Sequence, residues 1–107
     1  MADSAFVKVA KALADPTRHE MVRTLRERGE LNCSDIFQLF PLSQPTISHH
    51  VKMLESSGLI TVRREGQFHV LSLNAPVVDQ FVGELTGGLA GGLDGGLASG
   101  PAGLAAP

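Results

Sequence analysis

Apolar residues recur at helical spacing through the first third of the chain. Residues 5–13 place their apolar side chains on one stripe, which predicts a first helix. The pair Asp15-Pro16 is typical of a helix start, because aspartate caps free backbone N–H groups and proline fits the first turn. A second helix is therefore predicted from this pair to Gly29.

Two shorter helices are predicted next. Asn32 is a helix-capping residue with a carboxylate three positions later, and it predicts a third helix that ends near Phe40. Ser43 is the predicted cap of a fourth helix over residues 44–57. Gly58 closes that helix, since glycine readily takes the left-handed conformation found there.

The pattern then changes to β-like runs over residues 59–64 and 67–73, separated by Glu65-Gly66, which predicts a hairpin. A final helix is predicted from Pro76 to about Leu85. The predicted order is α-α-α-α-β-β-α, a mainly α fold with a small β-hairpin (α+β). A tight turn between two helices, followed by a hairpin, is the arrangement of a winged helix-turn-helix.

The last part of the chain differs in composition from the rest. Residues 87–107 contain eight glycines and two prolines and are otherwise rich in leucine and alanine. Each glycine costs a helix about 1 kcal/mol relative to alanine. We therefore predict one folded domain over residues 4–86, and a flexible tail over residues 87–107.

Composition narrows the class of protein further. The chain has 107 residues, of which 43% are hydrophobic and 5% aromatic, so its core must be aliphatic. A domain of this size buries little surface alone, which favours a partner subunit. A single cysteine, Cys33, excludes an intrachain disulfide and suits a reducing compartment. With no leader pattern at the start and no membrane-spanning pattern, we expect a cytoplasmic protein.

The fourth helix has two contrasting faces. At 100° per residue, Val51 and Leu54 lie within about 40° of Ile47 and form the predicted buried stripe. The opposite face carries small, polar residues and one cation, as a helix entering the DNA major groove requires. The predicted base contacts are Gln44, Thr46, Ser48 and His49. The predicted backbone or minor-groove contacts are Lys52 and, on the hairpin, Arg63, Arg64 and Gln67.

Several segments resemble the ArsR/SmtB-type winged-helix repressors. They read ALADPTR over residues 12–18, GEL over 29–31, LSQPTISHHVKML over 42–54, SGLI over 57–60 and RREGQ over 63–67. The resemblance implies a cytoplasmic homodimer that binds a pseudo-palindromic operator in double-stranded DNA and represses transcription. It also implies that the first and last helices pair across the dimer. The expected interface residues are Phe6, Val9, Leu13, Val78, Phe81 and Leu85.

The sequence departs from this family at the metal ligands. Metal-sensing members carry two cysteines in the pattern Glu-Leu-Cys-X-Cys-Asp, where this chain has Asn32 and Ser34 with Cys33 between them. The family's other site needs histidines on the last helix, which offers only Asp79 and Glu84. We therefore expect no metal site and no cofactor, and the sequence leaves the effector open.

Two alternatives remain beside this interpretation. A metal or thiol sensor could use Cys33 or nonstandard histidine ligands, which are His19, His49, His50 and His69. A winged helix could bind a protein rather than DNA, although the cations of the fourth helix and hairpin favour DNA. An enzyme is not expected, because HEMVR at residues 19–23 lacks the second histidine of the zinc-hydrolase pattern and no catalytic glycine loop occurs in the domain.

Overall fold

The computed structural model describes residues 4–93, with side chains for residues 4–87. The helices of this part are α1 (Ala5–Leu13), α2 (Pro16–Arg28), α3 (Cys33–Leu39), α4 (Gln44–Ser56) and α5 (Ala75–Leu93). The strands are β1 (Glu30–Asn32), β2 (Ile60–Glu65) and β3 (Phe68–Leu73). The predicted mainly helical fold with a hairpin is confirmed, with β1 as one strand more than the sequence predicted.

Capping side chains fix where the first four helices begin. In each, a side-chain oxygen of the preceding residue accepts a hydrogen bond from a backbone N–H three residues later. These capping residues are Ser4, Asp15, Asn32 and Ser43. Asn32 and Asp35 cap reciprocally, since each side chain accepts the backbone N–H of the other at 2.9 and 3.0 Å. The three predicted caps at Asp15, Asn32 and Ser43 are confirmed.

The three strands form one antiparallel sheet in the order β1-β3-β2. Leu31 of β1 pairs with Leu71 of β3, and Leu71 pairs in turn with Val62 of β2. Leu31 and Leu71 are both buried. β1 therefore extends the hairpin on the side of β3 and attaches the sheet to the chain between α2 and α3.

One aliphatic core joins the helices to the inner face of the sheet. Its buried members are Val9, Ala12, Met21, Leu25, Leu31, Ile36, Phe40, Ile47, Leu54, Leu59, Ile60 and Leu71. Ile47 and Leu54 belong to α4, so the inner face of this helix is fixed in the core. The predicted buried stripe of the fourth helix is confirmed, with Val51 half-buried at its edge.

The last helix is longer than the sequence predicted. It continues to Leu93, eight residues past the predicted end at Leu85. The four-residue recurrence of Leu85, Leu89 and Leu93 is a helical pattern, and the glycines between them do not end the helix. Residues 94–107 of the predicted tail lie outside the described residues. No helix in the described part of the chain is long and apolar enough to cross a membrane.

Candidate nucleic-acid interface

Helices α3 and α4 are joined by a turn of four residues, Phe40–Ser43, and α4 projects its polar face outwards. The backbone N–H of Leu42 donates to the carbonyl of Phe40 at 2.8 Å, which closes this turn. Phe40 is buried, whereas Leu42 remains exposed. The turn thus anchors the start of α4 to the core and leaves the other side of the helix open to solvent.

All five residues of α4 that were predicted to contact DNA are exposed. They are Gln44, Thr46, Ser48, His49 and Lys52. The first turn is ordered by Ser43, whose Oγ accepts the Thr46 backbone N–H at 3.3 Å and lies 2.8 Å from the Thr46 hydroxyl. The face is narrow and polar, and Lys52 is the one lysine or arginine among these five residues, while Glu55 of α4 is also exposed.

The hairpin separates its two arginines onto opposite faces of the sheet. Successive strand residues point to opposite sides, so Arg64 shares the face of Val62, which packs against the core and α4. Arg63 lies on the outer face. The two arginines, which were both predicted to contact DNA, therefore have different surroundings.

Arg63 is held by two carboxylates. Its two terminal nitrogens donate to both carboxylate oxygens of Glu30 on β1, and its Nε donates to Glu65 Oε2 at 2.8 Å. The hydrogen bond from Arg63 lowers the pKa of the Glu30 carboxyl. The hydrogen bonds from Glu30 and Glu65 raise the pKa of the Arg63 guanidinium. Arg63 therefore ties β2 to β1 across β3, and its charge is compensated within the chain.

Arg64 and Gln67 lie at the hairpin tip and are exposed. The tip is a two-residue loop, Gly66–Gln67, in which Gly66 has φ +62°. The Arg64 Nε donates to the Gly66 carbonyl at 3.2 Å, which holds the base of the guanidinium near the turn. Of the two hairpin arginines, Arg64 is the one suited to reach a phosphate or a groove.

The residues predicted for the dimer interface divide into two groups. Val9 is only 1% exposed in the single chain, so it is a core residue of the protomer and presents no surface to a partner. Leu13 and Val78 are half-buried against the same core. Phe6 of α1 stacks on Phe81 of α5 with ring centroids 4.7 Å apart. These contacts fasten α5 to α1 within one chain.

The exposed apolar surface of these helices includes residues absent from the predicted set. Leu85 is 40% exposed, as expected of an interface residue, but Val82 on α5 is 50% exposed and Val7 on α1 is 36% exposed. Val82 is apolar, but the sequence pattern alone does not distinguish it from residues that pack inwards. Only the burial of each side chain within the protomer distinguishes core residues from residues that remain exposed to a partner.

The positions of the family's metal ligands serve other roles here. At the two ligand positions, Asn32 caps α3 reciprocally with Asp35, and Ser34 is exposed. Cys33 between them is half-buried, and desolvation raises its pKa. A raised pKa disfavours the reactive thiolate. Within residues 4–93, no group of three His, Cys, Asp or Glu side chains is placed to hold a metal ion.

The known proteins to which this chain is similar are transcriptional regulators. Residues 15–62 match the family described as "Bacterial regulatory protein, arsR family". The arsenical resistance operon repressor of Staphylococcus xylosus is 41% identical over 66% of this chain and 67% of its own length. The transcriptional repressor SdpR of Bacillus subtilis (strain 168) is 38% identical over 69% of this chain and 81% of its own length. Among solved structures, one described as a possible transcriptional regulator for arsenical resistance superposes with a TM-score of 0.67 at 28% identity, covering 85% of this chain and 93% of its own.

Proposed function

Because this chain belongs to the ArsR family of DNA-binding transcriptional repressors, we propose that it acts as a homodimer that reads a pseudo-palindromic operator with α4 and the hairpin. Membership makes it a winged helix-turn-helix regulator rather than an enzyme. Three features go beyond family membership: the residues that contact DNA, the symmetry of the operator and the surface that binds the second copy.

The observation that carries the proposal is the outward face of α4. It is fixed from behind by the buried Ile47 and Leu54, and in front it presents hydroxyl, amide and imidazole groups. Such groups donate and accept hydrogen bonds at base edges, and none is too bulky for the major groove, which is about 12 Å wide. Gln44, Thr46, Ser48 and His49 are the proposed base contacts.

The backbone contacts are proposed for the cations beside this face. Lys52 follows the base-reading residues by one turn of α4, and Arg64 with Gln67 extends from the hairpin tip. We propose a different role for Arg63, because its carboxylate partners already compensate its charge. It stabilises the hairpin that carries Arg64, and its own contact to DNA is expected to be minor.

The dimer is supported by the apolar residues that α1 and α5 leave exposed. Val7, Val82 and Leu85 are 36–50% exposed, and they lie on the two helices that the Phe6–Phe81 stack joins. A second copy related by a two-fold axis would cover these residues on both chains. Paired α4 helices would then read half-sites about one DNA turn, roughly 10 base pairs, apart or a multiple of it.

The effector, if the protein uses one, is not proposed to be a metal at either family site. Asn32 and Ser34 are neutral donors, which do not replace thiolates for soft ions. Asp79 and Glu84 are five residues apart on α5 and lie about 140° apart around it, so they do not share a face. The Glu84 carboxylate also accepts a hydrogen bond from Gln80 at 3.3 Å.

The function is tested by capturing fragmented genomic DNA of the source organism on the immobilised protein and sequencing the retained fragments. We expect the retained fragments to map to a small number of discrete peaks in the genome, in regions upstream of genes. Ser48→Glu should abolish them, because a carboxylate on the outer face of α4 repels phosphates and acceptor-rich base edges. Ser34→Glu makes the same change on exposed α3 and should keep the peaks. Uniform retention across the genome by the wild type would overturn the proposal.

A further inference from the structure

One side chain bridges three helices behind the proposed DNA-reading face. Arg18, in the first turn of α2, donates from Nε to the carbonyl of Ala12 at 2.8 Å and from Nη2 to the carbonyl of Lys11 at 3.5 Å. Both carbonyls belong to the last turn of α1. Its Nη1 lies 3.3 Å from Nδ1 of His50 on α4. The guanidinium thus connects the end of α1 to the middle of α4.

The chemistry of this contact fixes the state of His50. A guanidinium has only N–H donors, so Nδ1 of His50 must accept, and the imidazole must be neutral with its proton on Nε2. A proton added at Nδ1 would place a second donor and a second positive charge opposite Arg18. The link between α2 and α4 would then be lost.

Charged and titratable groups of three helices lie around the contact between Arg18 and His50. On α2 these are Arg18 and Asp15, whose carboxylate accepts the Arg18 backbone N–H at 3.0 Å. That hydrogen bond is the main cause of the lowered pKa of Asp15, and the nearby charge of Arg18 contributes. On α4 the neighbour is His49, with ring centroids 5.9 Å apart. On α1, the carbonyls of Ala12 and Lys11 accept from Arg18, and Lys8 and Lys11 line a groove beside α4.

The contact between Arg18 and His50 lies beside a region where α1 and α4 pack incompletely. One turn further along α4, a groove of about 250 Å³ separates α1 from α4, lined by Lys8, Lys11, Met53 and Ser56 among others. Apolar packing between the two helices is therefore incomplete on this side. A hydrogen bond at Arg18 supplies an orienting contact that the groove does not.

We infer that Arg18 is a positioning residue for DNA recognition, which acts through His50 to hold α4 in a fixed orientation against α1. This inference rests on the proposed function, since it concerns how the reading helix is presented. It also joins α4 to the helix proposed for dimerisation. The spacing of the two reading helices then depends on this link.

The inference is tested with paired variants of the full chain. Arg18→Gln and His50→Leu remove the link, whereas His50→Gln keeps an acceptor, because a glutamine side chain carries a carbonyl oxygen. Arg23→Gln is the matched control, since it makes the same change on α2 at a residue whose ion pairs with Glu20 and Glu27 are exposed. Circular dichroism confirms that each variant is folded before it is compared.

The first measurement is the affinity for an enriched duplex relative to a random duplex, by fluorescence anisotropy at pH 7.5. We expect Arg18→Gln and His50→Leu to lower this ratio about five- to tenfold, and His50→Gln and Arg23→Gln to stay within about twofold of wild type.

The second measurement needs no DNA and separates this inference from the proposed function. Amide hydrogen exchange should show lower protection across α4 in Arg18→Gln and His50→Leu, with wild-type protection in His50→Gln and Arg23→Gln. If the wild type shows no sequence preference, the proposed function fails and the exchange data alone decide the positioning role. Wild-type exchange in Arg18→Gln, or a wild-type affinity ratio in both Arg18→Gln and His50→Leu, would overturn the inference.

Discussion

In the proposed dimer, Leu85 contributes a free energy of association that can be worked out from its exposure. Fully burying a leucine side chain contributes about 1.5–3 kcal/mol. Leu85 keeps 40% of its surface exposed in the single chain. Covering that remainder on dimerisation should contribute about 0.6–1.2 kcal/mol per copy, and twice as much, about 1.2–2.4 kcal/mol, for the two copies of a symmetric interface.

Leu85→Ala removes most of this contribution and retains one methyl group. Since about 1.4 kcal/mol corresponds to a factor of ten, we expect the dimer Kd to rise roughly 5- to 50-fold. Sedimentation velocity over a dilution series measures the monomer fraction directly. The variant should dissociate at protein concentrations at which the wild type is still dimeric.

Leu39→Ala is the matched control for this experiment. Leu39 ends α3, away from α1 and α5, and its 39% exposure is almost that of Leu85. The same truncation there should leave the dimer Kd within about twofold of wild type. Equal effects of the two substitutions, or a wild type that is monomeric at micromolar concentration, would refute the proposed interface.

Four further measurements test single residues of the proposed interface and the expected absence of a metal site. His49→Ala should relax the preference at one base position by roughly 1–3 kcal/mol, measured by competition among single-base operator variants. Arg64→Ala should reduce the slope of log affinity against log salt by about 0.9, whereas Arg63→Ala should leave the slope nearly unchanged. The stability that Glu30 contributes should be constant above its ordinary pKa of 4.5 and be lost as pH falls through its lowered folded-state pKa, so urea midpoints of wild type and Glu30→Gln should converge in acid. Calorimetric titration with zinc, nickel, copper or arsenite should show no stoichiometric submicromolar site that changes operator affinity, and a tenfold change would contradict this.

The sequence predicted the helix starts well, because capping is local. Asp15, Asn32 and Ser43 each act on a backbone N–H only three residues later, so their effect can be read without knowledge of the fold. The two faces of α4 were predicted for a similar reason. A helical period of 3.6 residues fixes which side chains share a face once the helix is placed.

The features that the sequence did not predict depend on contacts between distant residues. β1 has three residues, too few for a strand pattern, and it exists because Glu30, Leu31 and Asn32 pair with β3 about 40 residues later. The compensation of Arg63 depends on Glu30, which is 33 residues away in sequence. Val9 was assigned to the interface because an apolar stripe does not reveal whether its own protomer or a partner covers it.

Binding-site selection from a pool of random duplexes tests the proposal that two copies of α4 read base sequence together. We expect an enriched inverted repeat whose half-site centres lie about 10 base pairs, or a multiple of one DNA turn, apart. Enrichment should weaken as salt rises, because part of the affinity comes from phosphate contacts. A pool that returns no enriched motif after repeated rounds, or only a single half-site without symmetry, would contradict the claim.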